Sequence, residues 1–461
     1  MVSYANTNTE VPTATSAILH RSTRFIPPKA IGGKGSYLFL EDGTKFLDST
    51  GGAAVSCLGH GHEGIAQAMI DQLKKVEYCH TAFFGTDVSE ELARFLVEST
   101  GGRMEKVYVV SSGSEAVEAA LKLARQYFLE LPTPQPQRTR FISRMPSYHG
   151  ITLGALSAGG HVARRQPFEP LLSANTSHVS PCYAYRGKKD GESDEEYVQR
   201  LADELDAEFE RVGPDTVCAF VAEPVVGAAL GCVPSIPGYF PAIKRVCEKH
   251  GALLILDEVM SGMGRCGTLH AWEQEGVVPD LQTIGKALGG GYAPVSALLI
   301  SGKVVDVIDK GTGAFRHGQT YQGHPVSCAA ALAVQRVIRD EGLLENVRVM
   351  GKYLEERLKG TLRGMKYVGD IRGKGLFWGI ELVKNESTKE PFDTEDAIAF
   401  KIQETGLRPE FAISLYCSSG TVDGIRGDHV VIAPAYNITR EEIDIIVETT
   451  AKVFDEVFKD I

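Results

Sequence analysis

The chain of 461 residues carries 48 Lys and Arg against 59 Asp and Glu, which leaves a formal net charge of −11 at pH 7. An acidic chain without a cluster of Lys and Arg cannot neutralise many phosphates, which excludes nucleic acid as its main partner. Hydrophobic residues make up 43% and charged residues 23% of the sequence, as in an ordinary globular protein. No apolar run approaches the roughly 20 residues that a membrane-spanning helix requires, so we expect no membrane partner.

The cysteines and the N-terminus both favour a cytoplasmic protein. Nine cysteines are scattered without a Cys-x-x-Cys pair. This dispersed, odd-numbered set argues against a disulfide framework and against a structural metal site, whereas reduced and buried thiols are typical of the cytoplasm. Residues 1–17 are polar and lack the pattern of a signal or transit peptide. We expect them to form a flexible N-terminal arm.

The predicted elements begin with two short strands, residues 35–40 and 45–47, joined by a turn at residues 41–44. From about residue 62, apolar strands alternate with amphipathic helices. The predicted segments here are strand 107–110, helix 114–130, helix 197–211 after a solvated charged loop 186–196, strand 220–222, helix 239–250 and strand 253–256. Uninterrupted apolar strands are typical of a parallel sheet that is buried on both faces.

The pattern changes again after about residue 330. Two long helices, 328–341 and 344–362, precede short strands near Phe377 and Val430 and a terminal helix, 440–459. Strands that alternate with helices predict an α/β fold. We predict a large domain, residues 62–330, built on a mostly parallel sheet. A smaller α+β domain is predicted from residues 18–61 and 331–461.

The most informative residues are an acid and a lysine at predicted strand ends. Asp257 follows the apolar strand 253–256, and Lys286 follows the next apolar stretch, with Gly285 before it. Ligands of open α/β sheets bind beyond the carboxyl ends of strands. Pyridoxal phosphate needs a lysine amine for a Schiff base and an acid for its pyridinium nitrogen. A helix-capping Asp257 and a solvated Lys286 are the structural alternative.

Three further segments could contribute to such a site. Residues 111–115 lie between a predicted strand and helix, where backbone N–H groups can hold a phosphate or simply form a helix cap. Tyr148 could stack on a flat ring, and Glu223 is a carboxylate at another strand end. An ordinary core aromatic and a turn anchor before Pro224 are the alternatives for these two residues.

Together these segments resemble the class III pyridoxal-phosphate aminotransferases, in particular the ω-amino-acid and amine:pyruvate branch, which have the type I aminotransferase fold. Residues 256–268, 279–281 and 285–295 resemble the family signature from end to end. The resemblance extends from about Ile18 to the C-terminus. It implies pyridoxal 5'-phosphate as cofactor. It also implies a homodimer, or a tetramer of two dimers, with active sites at the subunit interface.

The resemblance assigns roles to individual residues. It implies that Lys286 forms the Schiff base and later moves the substrate proton. It implies that Asp257 pairs with the pyridinium nitrogen and that Glu223 supports the network around the ring. The remaining implied cofactor contacts are Val259 and Tyr148 on the two ring faces, Ser112, Gly113 and Ser114 at the phosphate, and Thr320 at the phosphate of the neighbouring subunit.

The implied substrate pocket contains Tyr148, and Phe83 and Phe84 from the partner subunit. It also contains Ala54, where the branch often has a large aromatic residue. Arg426 lies about two residues from the position of a mobile arginine that binds the acceptor carboxylate in this branch. A surface-loop arginine is the alternative for Arg426.

Two departures from related enzymes bear on the substrates. Met260 and Ala228 stand where the ornithine and 4-aminobutyrate enzymes carry a glutamine and a second glutamate. The predicted activity is therefore amino transfer from a primary amine or ω-amino acid to a 2-oxo acid, with pyruvate favoured, through pyridoxamine phosphate. Because a fold does not determine a reaction, a decarboxylating transaminase, an aminomutase, a racemase and a non-catalytic cofactor-binding protein remain alternatives.

Overall fold

The computed structural model describes residues 16–23, 25–459 and 461. The expected flexible arm, residues 1–17, lies outside this part except for Ser16 and Ala17. The described strands are β1 (Ala30–Lys34), β2 (Tyr37–Leu40), β3 (Lys45–Leu47), β4 (Lys106–Val110), β5 (Arg140–Arg144), β6 (Thr176–Val179), β7 (Val217–Ala222), β8 (Val225–Val226), β9 (Val233–Pro234), β10 (Leu253–Glu258), β11 (Leu281–Ile284), β12 (Ser296–Ile300), β13 (Val368–Lys374), β14 (Phe377–Leu382), β15 (Tyr416–Ser419) and β16 (Asp428–Ile432).

Helices surround these strands, and short 3₁₀ segments connect some of them. The α-helices are α1 (Gly51–Ala54), α2 (Glu63–Lys75), α3 (Asp87–Ser99), α4 (Gly113–Glu130), α5 (Leu153–Ala158), α6 (Val162–Arg165), α7 (Ala184–Gly187), α8 (Asp194–Val212), α9 (Tyr239–Lys249), α10 (Trp272–Glu275), α11 (Gly302–Lys310), α12 (Pro325–Asp340), α13 (Leu343–Leu362), α14 (Ile398–Leu407) and α15 (Arg440–Phe458). None of the helices in the described residues is long and apolar enough to span a membrane.

The largest sheet has seven strands in the order β4-β12-β11-β10-β7-β5-β6. Strand β12 runs antiparallel to both of its neighbours, and the other adjacent pairs are parallel. This topology confirms the mostly parallel sheet that the apolar runs predict. It also brings the carboxyl ends of β4, β5, β7, β10 and β11 to the same edge, since β4 is antiparallel to β12, which is itself antiparallel to β11.

Strand β10 shows why its apolar run is continuous. Leu254 and Leu256 pack into a core with helices α8 and α9, whereas Leu253 and Ile255 pack into a second core with helix α4. Successive side chains of a strand point to opposite faces, so a sheet covered by helices on both sides needs apolar residues at every position.

The described residues form three smaller antiparallel sheets besides the large one, and the smallest is the pair β8 and β9. Strands β1, β2 and β3 form the first, which confirms the predicted turn at residues 41–44 and adds β1. Strands β13, β14, β16 and β15 form the second. The Leu47 N–H at the end of β3 donates to the Ala412 carbonyl at 2.8 Å, so the N-terminal strands meet the C-terminal part. The domain boundaries at residues 61 and 330 stay a prediction.

The charged segment 186–196 differs from the expected solvated loop. Helix α8 already begins at Asp194, because Ser193 and Glu196 form a capping box that satisfies the first N–H groups. Arg186 Nε lies 2.6 Å from Oε1 of Glu381, a fully buried carboxylate on β14. The prediction of a solvated loop is therefore wrong at both ends, since one end is helical and the other neutralises a buried charge.

Candidate active site

A cavity of about 120 Å³ opens at the carboxyl edge of the seven-stranded sheet. Its lining residues lie at or beyond the ends of different strands, which the parallel arrangement brings together: Gly113, Ser114, Tyr148, His149, Gly150, Glu223, Asp257, Val259, Met260 and Lys286. Seven of the residues predicted from the sequence therefore meet at one place.

Lys286 follows β11 and Gly285 and lines this cavity. Its backbone has φ of 47°, a left-handed conformation that is uncommon for residues other than glycine and that persists only where the surroundings impose it. Its amine has no hydrogen-bond or ion-pair partner among the described residues. Burial lowers the pKa of Lys286, while the charges of Asp257 and Glu223 act in the opposite direction. The amine is thus available as a nucleophile.

Asp257, near the end of β10, is held by three hydrogen bonds. Its Oδ1 accepts from the Val259 N–H at 3.1 Å and from Thr283 Oγ1 at 3.0 Å. His149 Nδ1 lies 2.8 Å from its Oδ2, so the ring nitrogen donates to the carboxylate. A carboxylate offers about four lone-pair sites. One remains for a positively charged N–H in the cavity, such as a pyridinium.

Glu223, directly after β7, fixes the position of Tyr148. Its Oε1 accepts from the Tyr148 N–H at 3.0 Å, and its Oε2 accepts from the Gly227 N–H at 3.1 Å. Arg144 donates to the Glu223 carbonyl oxygen. Burial raises the pKa of Glu223. Because both carboxyl oxygens are engaged by backbone groups, Glu223 acts on the cavity through Tyr148 and through its charge.

The N-terminus of helix α4 provides anion-binding groups. The N–H groups of Gly113 and Ser114 donate to no acceptor within the described residues, and both residues line the cavity. Free N–H groups and the helix dipole favour a phosphate at this position. Ser114 Oγ accepts from the Ile151 N–H at 3.0 Å, which leaves its own hydrogen to donate. Ser112 is the N-cap residue, and its Oγ accepts from the Glu115 N–H at 3.3 Å.

Val259 lies between two glycines. A Cβ atom at Gly113 would stand 2.9 Å from Val259 Cγ1, and one at Gly285 would stand 3.3 Å from the same atom. Any larger residue at Gly113 would therefore push Val259 aside. The glycines allow the Val259 side chain to form an apolar surface between the helix terminus and Lys286.

These residues fit pyridoxal phosphate. The free N–H groups of α4 could hold its phosphate, Asp257 its ring nitrogen, and Lys286 its aldehyde carbon. When bound, the cofactor supplies an aldehyde that captures amines and a ring that withdraws electrons from the substrate. The protein supplies the basic amine, the fixed carboxylate and the apolar surface of Val259.

The other predicted residues lie outside the cavity lining. Ala54 is buried and packs in an apolar cluster with Met260, against which Tyr148 also packs. Thr320 is exposed, and its carbonyl oxygen accepts from the Tyr78 hydroxyl at 3.0 Å. Phe83 and Phe84 are 77% and 66% exposed. The predicted roles of Thr320, Phe83 and Phe84 involve a second subunit, and they stay predictions.

Arg426 is not brought to the Lys286 cavity. It lies on an exposed turn before β16, where its Nε pairs with Asp423 Oδ2 at 2.7 Å. It lines a separate groove together with Ala163, Phe392 and Ile425. Its predicted role as a carboxylate ligand stays a prediction, and the pairing with Asp423 argues for the surface-loop alternative.

Sequence reasoning missed several residues of the site. His149 was visible beside Tyr148, but nothing local indicated that it would reach Asp257, 108 positions away. Thr283 faces Asp257 because β10 and β11 are parallel in that register. Arg164 likewise has no local signal in the sequence that points to the site. Its guanidinium carbon lies 4.4 Å from the centre of the Tyr148 ring.

Comparisons with known proteins agree with this chemistry. The family model described as Aminotransferase class-III matches residues 21–454. An aminotransferase from Gibberella zeae is 54% identical over 422 residues, which cover 91% of this chain and 82% of that protein.

Two solved structures are similar over most of the chain. A thermostable (S)-enantioselective omega-transaminase from Thermomicrobium roseum is 36% identical, with a TM-score of 0.87 and coverage of 94% of this chain and 93% of that chain. The omega transaminase from Pseudomonas jessenii in complex with PMP is 30% identical, with a TM-score of 0.87 and the same coverages of 94% and 93%.

Matches of this extent confirm the predicted fold, cofactor and enzyme class. They remove the alternative of a non-catalytic protein, since Lys286 and Asp257 also meet in one cavity. The chain belongs to the class-III aminotransferases, enzymes that use pyridoxal phosphate on the type I aminotransferase fold.

Proposed function

We propose that this aminotransferase moves the amino group of a primary amine or ω-amino acid to a 2-oxo acid, with pyruvate as the preferred acceptor. The observation that carries the proposal is the apolar wall beside Tyr148. Ala54, Ala228 and Met260 pack there in one buried cluster. A second glutamate at position 228 would add a charge to this wall, whereas alanine leaves it neutral and small.

Lys286 performs two tasks in this proposal. Its amine would hold the aldehyde carbon of the cofactor, and the same amine, when free, would remove the proton from the substrate Cα. Both tasks need the neutral amine. Burial favours this form, because it lowers the pKa of Lys286. Asp257 keeps a proton on the ring nitrogen, because its negative charge stabilises the pyridinium form.

Tyr148 and Val259 restrict the orientation of the ring. The bond that breaks must stand perpendicular to the ring plane, so a ring held between these two side chains would give the pocket a fixed plane against which to orient the substrate. Glu223 contributes by fixing the Tyr148 backbone at 3.0 Å.

A homodimer is part of the proposal. Residues 78–84 and 320–324 pack together in a partly exposed surface, where the rings of Tyr78 and Tyr321 are 5.9 Å apart. Phe83 and Phe84 protrude from it. A second copy placed on this surface would cover these apolar side chains and could receive Thr320 at its own phosphate site.

The cytoplasm is the proposed location. All nine cysteines are free in the structure, and eight of them are buried. Free, buried thiols are typical of a reducing compartment.

An absorbance titration tests the reaction. Primary amines and ω-amino acids are added one at a time to the purified holoenzyme, and pyruvate or 2-oxoglutarate follows. The absorbance band of the lysine-bound cofactor should fade with a suitable amine and return with pyruvate more readily than with 2-oxoglutarate. Lys286→Ala, which cannot form this band, is the control.

Two results would contradict the proposal. Recovery with 2-oxoglutarate alone would show that the acceptor is wrong. A band that no amine bleaches would instead favour a decarboxylating transaminase, an aminomutase or a racemase, and carbon dioxide release or loss of optical rotation would distinguish these.

A further inference from the structure

Two consecutive arginines occupy the short helix α6, and they have different surroundings. Arg165 is buried and is fully engaged by the protein. Its Nη1 donates to the carbonyl oxygens of Ser157 at 2.8 Å and Gly159 at 2.5 Å, and its Nε pairs with Glu169 Oε1 at 3.0 Å. Arg165 therefore fastens α6 to helix α5 and determines where the preceding residue stands.

Arg164 interacts instead with the side chain of Tyr148. Its guanidinium is half-buried and lies over the Tyr148 ring, with 4.4 Å between its central carbon and the ring centre. No carboxylate comes within ion-pair distance of it in the described part of the chain. A partly desolvated cation that has no carboxylate partner and lies beside a residue of the cavity lining is costly unless a ligand supplies the opposite charge.

The charge of Arg164 acts inside the cavity. Burial raises the pKa of Tyr148, and the Arg164 charge opposes this rise. Burial lowers the pKa of Lys286, and the Arg164 charge adds to this effect. Because Tyr148 and Lys286 both line the cavity, an anion bound there would lie within the field of Arg164.

Arg426, the other candidate for binding the substrate carboxylate, is paired with Asp423. The carboxylate of Asp423 accepts from Arg426 Nε at 2.7 Å and from the backbone N–H of Arg426 at 2.7 Å. The turn that holds Arg426 packs on α6, since a Cβ at Gly424 would stand 2.3 Å from Val162 Cγ2. Arg426 would have to leave a charged partner before it could serve a substrate.

We propose that Arg164 is the substrate-binding residue that holds the carboxylate of the 2-oxo acid acceptor, and of any ω-amino acid donor, while stacked on Tyr148. This proposal rests on the proposed function. A guanidinium presents a planar fork of N–H donors that matches a carboxylate in two parallel hydrogen bonds. Stacking on an aromatic ring preorganises that fork, which reduces the entropy lost on binding.

The test compares substrates with and without a carboxylate. Arg164→Gln and Arg164→Lys are measured with pyruvate and with the donors β-alanine and butylamine. Arg440→Gln is the matched control, because Arg440 also lies 4.4 Å from a tyrosine ring, that of Tyr353, on the helix α15. Arg426→Gln tests the rival residue.

We expect Arg164→Gln to raise the KM for pyruvate and for β-alanine by about 10- to 100-fold, as for the loss of a charge-assisted hydrogen-bonded pair. The butylamine half-reaction is the internal reference, since any effect of the lost charge on Lys286 appears there too, and the additional loss with pyruvate and β-alanine measures the contact with the carboxylate. Arg164→Lys should restore part of the loss. The proposal is overturned if Arg164→Gln lowers the activity with butylamine as much as the activity with the carboxylate substrates. It is also overturned if Arg426→Gln produces the larger KM change.

A binding measurement separates this proposal from the proposed function. Propionate, a carboxylate that cannot react, is titrated into each holoenzyme in a calorimeter. Its dissociation constant should rise by a similar factor in Arg164→Gln and stay unchanged in Arg440→Gln. Equal propionate affinity in the wild type and Arg164→Gln would overturn the role of Arg164 even if amino transfer is observed. A failed amine titration would contradict only the proposed function.

Discussion

The protonation of the Lys286 amine results from opposing influences in the cavity. Burial favours the neutral amine, because a charged group loses its hydration there. The carboxylates of Asp257 and Glu223 favour the ammonium form. The structure shows that burial prevails, so the pKa lies below the ordinary lysine value of about 10.4. A proton acceptor is thereby present at lower pH than for a solvated lysine.

This balance predicts how the rate of aldehyde capture by Lys286 depends on pH in the cofactor-free protein. The rate at which Lys286 captures an aldehyde should rise with pH and reach its plateau below the pH at which free lysine does. In Asp257→Asn the midpoint should move to still lower pH, because the charge that stabilises the ammonium form is gone. Aldehyde uptake followed by absorbance, with Lys286→Ala subtracted as background, measures both midpoints.

A midpoint at or above the ordinary lysine value would contradict the prediction. So would an upward shift in Asp257→Asn, since that would mean that the carboxylate does not act on the amine. Lys286→Arg is a further check, because a guanidinium keeps the positive charge and cannot capture an aldehyde in this pH range.

At the scale of elements, helix α4 combines a stabilising cap with a binding function. The carboxylate of Glu115 accepts from the N–H groups of Ser111 at 2.8 Å and Ser112 at 2.9 Å, and Ser112 caps the Glu115 N–H in return. This capping box engages the Glu115 N–H and leaves the N–H groups of Gly113 and Ser114 free to bind a phosphate. A helix end that is ordered before the ligand arrives binds a phosphate without an added ordering cost.

A pair of matched variants separates the two roles. Ser112→Ala and Ser193→Ala each remove the serine of a capping box, the second at the start of helix α8. Each should lower the free energy of unfolding of the cofactor-free protein by about 1 kcal/mol in denaturant titrations. Only Ser112→Ala should weaken cofactor binding, measured by fluorescence titration. Equal cofactor affinity in both variants would show that the cap does not organise the phosphate site.

At the scale of the whole molecule, the surface around Phe83, Phe84 and Tyr321 is conspicuously apolar. These side chains are 77%, 66% and 56% exposed and belong to two segments that pack together. Exposed apolar patches of neighbouring aromatic residues mark sites of association. The same segment carries Thr320, so this surface and the proposed phosphate contact of the second subunit belong to one region.

Disruption of this surface should therefore affect assembly and activity together. Phe84→Asp places a charge on the patch and should convert dimers into monomers in analytical ultracentrifugation, with a loss of amino transfer. Ile445→Asp, at a 45% exposed apolar residue of helix α15, is the control and should leave the sedimentation coefficient unchanged. A fully dimeric Phe84→Asp protein, or an active monomer, would contradict the proposed interface.

Much of the fold was predictable because its signals are local. The apolar runs in β7 and β10 reflect burial on both sheet faces, and helix α9 begins and ends within one residue of its prediction. Asp257 and Lys286 are predictable because each signal is local. Asp257 follows an apolar strand directly, and Lys286 follows an apolar stretch and stands next to a glycine. Helix α8 begins three residues before its predicted start at residue 197, because the capping box of Ser193 and Glu196 extends it.

The sequence by itself determined the strands, the helices and the chemical groups of the site, since each depends on side-chain period, turn residues and functional groups along a short stretch of chain. Only the tertiary structure decided which groups meet. His149 reaches Asp257 across 108 positions, and Arg186 reaches Glu381 across 195. The register of β10 against β11 places Thr283 at Asp257, and the anchoring of Arg165 places Arg164 over Tyr148. Such pairings follow from strand order and packing, which arise from the burial of the whole chain and leave no local trace in its sequence.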